Sequence, residues 1–350
     1  MKSLYILSAF ALVGTCSTPK YTTRIQNIKN NIQIVDSTYT INYANTITVK
    51  ELKKHLYKFS SDEFEGRKVG EKGQKLAAEF LKSYYINEKI ASPFGDDNYY
   101  QVIPKGFFSE GINSSENVLA YIEGSEKPNE VIIISAHLDH LGISDNGQIN
   151  HGADDDGSGT VAIMEMAQAF NLAKKEGHGP KRSILFLHLT AEEIGKQGSE
   201  FYTQHPVFPL QNTIANLNID MIGRVDEKHK NDKDYIYLIG SDRHSKELHY
   251  LSEKVNNTYF NINIDYRYNV KGERNQYYSR SDHYNFAIKG IPVIFYFNGE
   301  HSDYHKPTDT PDKIDYNLLQ RRTKLIFSTA WQIANQKHRI VLDKNNELLN

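Results

Sequence analysis

The chain has 350 residues, with 41 Lys plus Arg against 43 Asp plus Glu, and one cysteine. That length allows a large core in one α/β domain, or in one domain with a small appendage. A formal net charge of −2 gives no electrostatic case for nucleic acid, and a lone cysteine allows no intramolecular disulfide.

Met1-Lys2 is a short basic start, and Leu4 to Val13 is an apolar stretch too short to cross a bilayer. It runs into Val13-Gly14-Thr15-Cys16 and then into polar residues. The pattern resembles a bacterial lipoprotein signal, in which cleavage before the cysteine accompanies its lipidation. Thr15 departs from the usual Gly or Ala, which leaves ordinary signal cleavage open. Residues 1–16 are therefore expected to be a signal peptide. The mature chain is expected in the periplasm or on an envelope membrane, held there only by a lipid on Cys16. Ser17 to Thr46 offers few core candidates and reads as a polar tether. No later stretch is apolar enough to span a membrane.

Val49 to Phe59 and Lys72 to Tyr85 carry helical periodicity through Leu52, Leu56, Leu76, Ala77, Phe80 and Leu81. Glu65 to Gly70 between them reads as a turn. Tyr99 to Ile103 and Val118 to Ile122 are predicted strands, paired like a hairpin with a long loop. Val131 to Ala136 is the next strand, and Thr160 to Lys174 a helix. Ile184 to Leu189 is an apolar run of the fully buried kind. Ile214 to Ile222, Tyr235 to Ile239 and Ile291 to Phe297 are further strands. Lys246 to Val255 and Tyr316 to Asn335 are helices, and the charged stretch Val225 to Asp234 an exposed loop. Strands alternating with helices predict an α/β fold with a largely parallel sheet covered by helices on both faces.

In such sheets ligands bind beyond the carboxyl ends of the strands. His137 and Asp139 follow the strand at Val131, two residues apart, and Asp154-Asp155-Asp156 follow after a loop. Three adjacent anions repel unless a cation neutralises them, so imidazole and carboxylates together suggest a metal site. Taken alone, Asp-Asp-Asp-Gly-Ser-Gly would be a solvated turn capping a helix. Asp154 to Glu165 also matches EF-hand spacing, but Leu141 to Gly152 cannot supply the entering helix. Gly157 to Ala162 resembles a dinucleotide fingerprint, but the preceding carboxylates would repel a pyrophosphate. The other strand exits decide the matter. Ile184 to Leu189 leads to Glu192-Glu193, Asp220 closes another strand, and Ile291 to Phe297 leads toward His301 and His305. Metal-competent side chains at four strand exits are hard to attribute to chance. HExxH and Gly-x-Ser-x-Gly motifs are absent, which disfavours thermolysin-type and serine hydrolases.

Taken together, Ser135-Ala-His137-Leu-Asp139, Gly152-Ala-Asp-Asp155-Asp156-Gly-Ser-Gly159, Ala191-Glu192-Glu193-Ile-Gly195, Asn218-Ile-Asp220-Met-Ile-Gly223 and Asp303-Tyr-His305-Lys-Pro-Thr-Asp-Thr310 are specific. Arg280-Ser-Asp-His283 and Gly290-Ile-Pro292 add to them. The chain resembles the co-catalytic di-zinc aminopeptidase family, the group of bacterial leucyl aminopeptidases. Wider relatives are glutamate carboxypeptidase, glutaminyl cyclase and the transferrin-receptor ectodomain. The resemblance runs from about Leu52 to the terminal helix. It implies a three-layer zinc-exopeptidase sandwich over residues 47–340, including an N-terminal helical segment, followed by a tail at 341–350.

Position by position, the resemblance implies that His137 and Asp220 hold one zinc, that Glu193 and His305 hold the other, and that Asp155 bridges them. A cis peptide is implied after Asp155. Asp139 is expected to accept a hydrogen bond from His137 and orient its ring. Glu192 is expected to be the general base that moves a proton from water to the leaving amine. His140, His151, His283 and His301 have no assigned part, though His283 and His301 are candidates for the substrate pocket, together with Asp282. The implied activity is removal of N-terminal residues from peptides, with no obligate protein partner. A glutaminyl cyclase, a carboxypeptidase or dipeptidase, and a non-catalytic ectodomain are the competing readings.

Overall fold

A computed structural model describes residues 20–346, so the expected signal peptide and Cys16 lie outside the described residues. Among the described residues no helix is long and apolar enough to cross a membrane.

The strands are β1 (Tyr100–Ile103), β2 (Ser115–Ile122), β3 (Lys127–His137), β4 (Arg182–Leu189), β5 (Thr213–Ile219), β6 (Tyr235–Ile239), β7 (Asn263–Asp265) and β8 (Val293–Phe297). They form one mixed sheet in the order β1-β2-β4-β3-β5-β8-β6-β7. The central run β4-β3-β5-β8 is parallel throughout. On one side β2 joins β4 antiparallel and β1 pairs back onto β2, as the hairpin reading expects. On the other side β6 runs antiparallel to β8.

The helices are α1 (Tyr21–Asn31), α2 (Ser37–Ala44), α3 (Val49–Phe59), α4 (Lys72–Glu88), α5 (Gly159–Lys175), α6 (Gln197–Gln204), α7 (Lys246–Tyr259), α8 (His283–Ala287) and α9 (Tyr316–Asn335). They cover both faces, giving the three layers. Successive side chains of a strand point to opposite faces. Ile132 and Ile134 of β3 accordingly join one apolar cluster with α5 and α9, whereas Val131 and Ile133 join another with Tyr202 of α6 and Phe286 of α8. Burial on both sides is why the central strands read as unbroken apolar runs. Phe170 of α5 packs on Phe327 and Trp331 of α9, at 4.5 and 5.7 Å between ring centroids. The starts of α3 and α9 follow ordinary capping chemistry: the Thr48 hydroxyl accepts the Glu51 N–H at 3.1 Å, and Asp315 accepts the N–H groups of Asn317 and Leu318.

Three local expectations are corrected. From Tyr21 onward the tether is folded: Ile28, Ile32, Tyr43 and Ala44 are buried in the main core. Val35 N–H donates to Gln332 Oε1 at 3.0 Å, and Gln332 Nε2 donates to the Gln33 carbonyl at 2.8 Å. Ile25, Ile28 and Ile32 do have helical spacing, but Asn, Lys and Thr between them dilute it to a single narrow stripe. The described part of the tail, residues 341–346, is tied down as well, with the Asp343 carboxylate accepting the Lys246 N–H at 2.7 Å at the start of α7. Finally, the charged stretch 225–234 buries Asp226 and His229, because Asp226 accepts the Tyr237 hydroxyl at 2.6 Å and the His229 ring at 3.0 Å.

Candidate metal centre

The four strands whose exits carry metal-competent side chains are the four consecutive parallel neighbours β4, β3, β5 and β8. Their carboxyl ends therefore lie along one edge. His137 is the last residue of β3 and pairs in register with Leu189, three residues before Glu192. Asp220 follows β5 directly, and its N–H donates to the Tyr296 carbonyl of β8 at 3.2 Å. His305 comes from the loop beyond β8. Distant segments meet because the sheet order brings their ends together.

His137 Nε2 lies 3.1 Å from Asp155 Oδ1 and 3.7 Å from Asp220 Oδ1. His305 Nε2 lies 3.2 Å from Asp155 Oδ2 and 3.2 Å from Glu193 Oε2. Asp155 thus turns one oxygen to each group, and the Asp155–Asp156 peptide is cis, as the resemblance implies. Two donors each about 2.1 Å from a shared tetrahedral ion stand about 3.4 Å apart, so these separations suit zinc ligands. Asp155 Oδ2 is buried without a hydrogen-bond partner, as an oxygen reserved for a cation should be. Imidazole with carboxylate is also a donor set that zinc accepts.

The sequence profile of peptidase family M28 matches residues 117–330, more than half of the chain. The chain belongs to peptidase family M28. The family is one of peptidases. A probable glutamate carboxypeptidase of Arabidopsis thaliana is 35% identical over 106 residues, which are 30% of this chain and 14% of that longer one. The LapA aminopeptidase of Legionella pneumophila superposes with a TM-score of 0.69 at 21% identity, over 88% of this chain and 77% of LapA. The zinc aminopeptidase BSAP of Bacillus subtilis superposes with a TM-score of 0.63 at 16% identity, over 84% and 97% of the two chains. At these identities the structural likeness is one of fold.

Around these candidate ligands lies a layer of polar contacts that hold them. Asp139 departs from its expected part. The His137 ring donates from Nδ1 to the backbone carbonyl of Asp139 at 3.1 Å, while the Asp139 carboxylate stands 3.8 Å away. Because a carbonyl only accepts, this contact puts the proton on Nδ1 and frees Nε2 as a ligand. The chain turns as β3 ends, which swings the carbonyl rather than the carboxylate under the ring. The carboxylate instead accepts the N–H groups of Glu192 and Glu193 at 3.1 and 3.4 Å, and burial raises its pKa to about 7. Asp154 and Asp156, the outer members of the triplet, are structural. Asp154 accepts the Gly223 N–H at 2.6 Å and lies 3.2 Å from His301, and Asp156 accepts the N–H groups of Gly159 and Met221.

Two supporting residues escaped the sequence reading. His140 is fully buried, and its Nδ1 donates to Glu193 Oε1 at 2.7 Å, leaving Oε2 to face His305. Ser281 donates to Asp220 Oδ2 at 2.7 Å, leaving Oδ1 to face His137. Ser281 closes a directed chain through the sheet: Asn216 Nδ2 donates to Ser135 (2.8 Å), Ser135 to Asn218 (2.7 Å), and Asn218 to Ser281 (2.9 Å). The adjacent glutamates have opposite electrostatics. Burial, reinforced by Asp282, Asp220 and Glu193, holds Glu192 well above the carboxylate range. Burial would raise Glu193 too, yet His140 and His305 pull it below.

A narrow cleft opens over these groups. Glu192, Asp155, Asp220 and His305 line its floor, and Met221, Tyr277, Phe295, Phe297 and Tyr304 its walls. Arg280 and Glu300 stand beside it as an ion pair at 2.9 Å. Asp282 and His283 do not line the cleft and are corrected here. Asp282 is buried against the Ser199 hydroxyl, and burial raises its pKa to about 6. His283 stacks behind the Phe295 wall at 4.7 Å, where burial lowers its pKa to about 3. Within Arg280-Ser-Asp-His283 the residues that reach the cleft are Arg280 and Ser281, because α8 starts at His283 and turns its side chain into the sheet. His301 is also withdrawn from the cleft, onto Asp154.

Proposed function

We propose that this M28 peptidase is an aminopeptidase that works with two zinc ions. One is held by His137, Asp155 and Asp220, the other by Asp155, Glu193 and His305. The observation that carries the reading is Asp155, whose two oxygens each face a separate imidazole–carboxylate group. Zinc bound there supplies Lewis-acid polarisation of the scissile carbonyl and lowers the pKa of water. Glu192, on the cleft floor, takes the proton of the attacking water and returns it to the leaving amine. Its backbone is fixed for this by Asp139.

Aminopeptidase is favoured over carboxypeptidase by charge. Carboxylates of Asp155, Glu192, Asp220 and Glu300 line the cleft, and Arg280, the lining arginine, already faces Glu300. Asp155 and Asp220 would be neutralised by the zinc ions they hold, which leaves Glu192 and Glu300 as partners for a substrate ammonium, while Arg280, already paired, is not free for a substrate carboxylate. The aromatic walls suit an uncharged side chain. Turnover on free-amine, amine-blocked and carboxyl-blocked dipeptides tests this: only the amine-blocked compounds should fail. Release of pyroglutamate from an N-terminal glutamine peptide would identify a cyclase instead. We further propose export to the periplasm or envelope membrane with lipidation at Cys16, supported by the apolar stretch ending at the single cysteine. Peptides are then the partners, and membrane contact comes through the lipid alone. A Cys16→Ser form that fractionates with membranes like the parent would remove the lipid from this account.

A further inference from the structure

Arg67 is 0% exposed, and it lies outside residues 117–330, the part of the chain that matches the family. A buried guanidinium ordinarily meets a carboxylate. Arg67 meets backbone carbonyls instead. Its Nε donates to Leu138 at 2.9 Å, one Nη to Phe59 at 3.1 Å and His151 at 2.7 Å, and the other Nη to Gly152 at 2.8 Å. Leu138 sits between His137 and Asp139, and Gly152 lies three residues before Asp155. The remaining carbonyl closes α3. One rigid planar group thus touches the His137 loop, the Asp155 loop and the helical segment before the sheet.

The backbone of the same turn adds to the contact. The Arg67 carbonyl accepts the His140 N–H at 3.2 Å, and the Gly66 carbonyl accepts the Gly142 N–H at 2.9 Å. Gly66 has φ +68°, and a Cβ there would stand 2.5 Å from the Asn150 carbonyl oxygen, so only glycine permits the approach. The Arg67 side chain also lies over the Phe59 ring, at 4.5 Å from its centroid.

We propose that Arg67 is a positioning residue for the metal centre: its fork sets the spacing between the loop carrying His137 and His140 and the loop carrying Asp155, and so tunes zinc affinity from outside the matched domain. The fixed geometry of guanidinium donors is what makes this possible, since four carbonyls bonded to one plane cannot drift independently. Lysine keeps the charge but offers a single point of contact. The inference rests on the reading of these residues as a zinc centre.

Zinc affinity measured by chelator competition on the purified full chain tests it, with Arg67→Lys beside Phe64→Leu. Phe64 is buried in the same turn, against Phe59 and Phe80, and touches none of the four bonds. Arg67→Lys is expected to lose about 10- to 100-fold in zinc affinity, as metal sites do when an outer contact is removed. Phe64→Leu is expected to bind zinc like the parent. Wild-type affinity in Arg67→Lys, or an equal loss in Phe64→Leu, overturns the proposal. Should Arg67→Lys not fold, amide hydrogen exchange on the parent decides. Zinc is expected to slow exchange over residues 59–68 together with 137–155, and unchanged exchange over 59–68 overturns the proposal. Absence of zinc binding by the parent would sink the metal-centre reading itself, a result distinct from either of these.

Discussion

The two halves of the centre are built differently. The first group, His137 with Asp220, sits directly at the ends of two central strands, with 1% and 13% of the side chains exposed. Each is fixed through a second atom, His137 by the Asp139 carbonyl and Asp220 by Ser281 at the end of a buried hydrogen-bond chain. The second group, Glu193 with His305, sits on loops. His305 has φ +57°, its side chain is 38% exposed, and its ring rests on Tyr304 at 3.9 Å. Glu193 alone has a buried partner there, His140. The difference teaches that one half is set by the sheet and the other by side-chain contacts, so the second should hold its ion less tightly.

The largest effect should fall on the general base, which belongs to neither half. Glu192→Gln keeps the size of the side chain but cannot accept the proton, so kcat should drop by roughly 10²–10⁴-fold with metal content unchanged. Glu193→Gln makes the same chemical change one position along, and should lose zinc from the second group. Metal analysis beside steady-state kinetics reads both. Loss of metal in Glu192→Gln with retention in Glu193→Gln would reverse the two roles.

Chelator titration sharpens the contrast directly. Zinc should leave in two phases, and His305→Ala should remove the early phase while keeping the late one. A single phase in which both ions leave together would mean that Asp155 couples the halves more strongly than their surroundings separate them.

The smallest effects should come from the outer contacts. Ser281→Ala should weaken the tighter zinc by about tenfold and spare the looser one. His140→Phe, which keeps a flat ring without the donor, should do the reverse. If both variants shifted the same ion, the halves would share their support after all.

Much of this was legible in the sequence because it depends on local pattern. The fully buried strands announced themselves as apolar runs, and the side chains at their exits could be read one after another. His137, Asp155, Glu192, Glu193, Asp220 and His305 do come together. The parts that stayed hidden depend on contacts across long separations. Ser281 reaches Asp220 over 61 positions, and Arg67 reaches Gly152 over 85. Ser281 lies in the Arg280-Ser-Asp-His283 motif, but nothing there names Asp220 as its partner, and nothing near Arg67 marks it at all. Asp139 failed for another reason: residue spacing in a strand predicts which side a group faces, not whether its carbonyl or its carboxylate comes closer once the strand has ended. The folding of residues 21–46 was missed because a narrow apolar stripe among Asn and Lys becomes a helix only when a core is there to cover it.

That N-terminal docking has a consequence for synthesis. Val35 is bonded to Gln332, 297 positions later in the chain. A ribosome adding about 5–20 residues per second needs on the order of 15–60 s to make the intervening stretch. Through that interval α2 has no α9 to pack against, and α1, which packs on α7, must wait for residues 246–259. Residues 21–46 therefore dock late, and they stay open to unfolded-state handling until α7 and α9 are made.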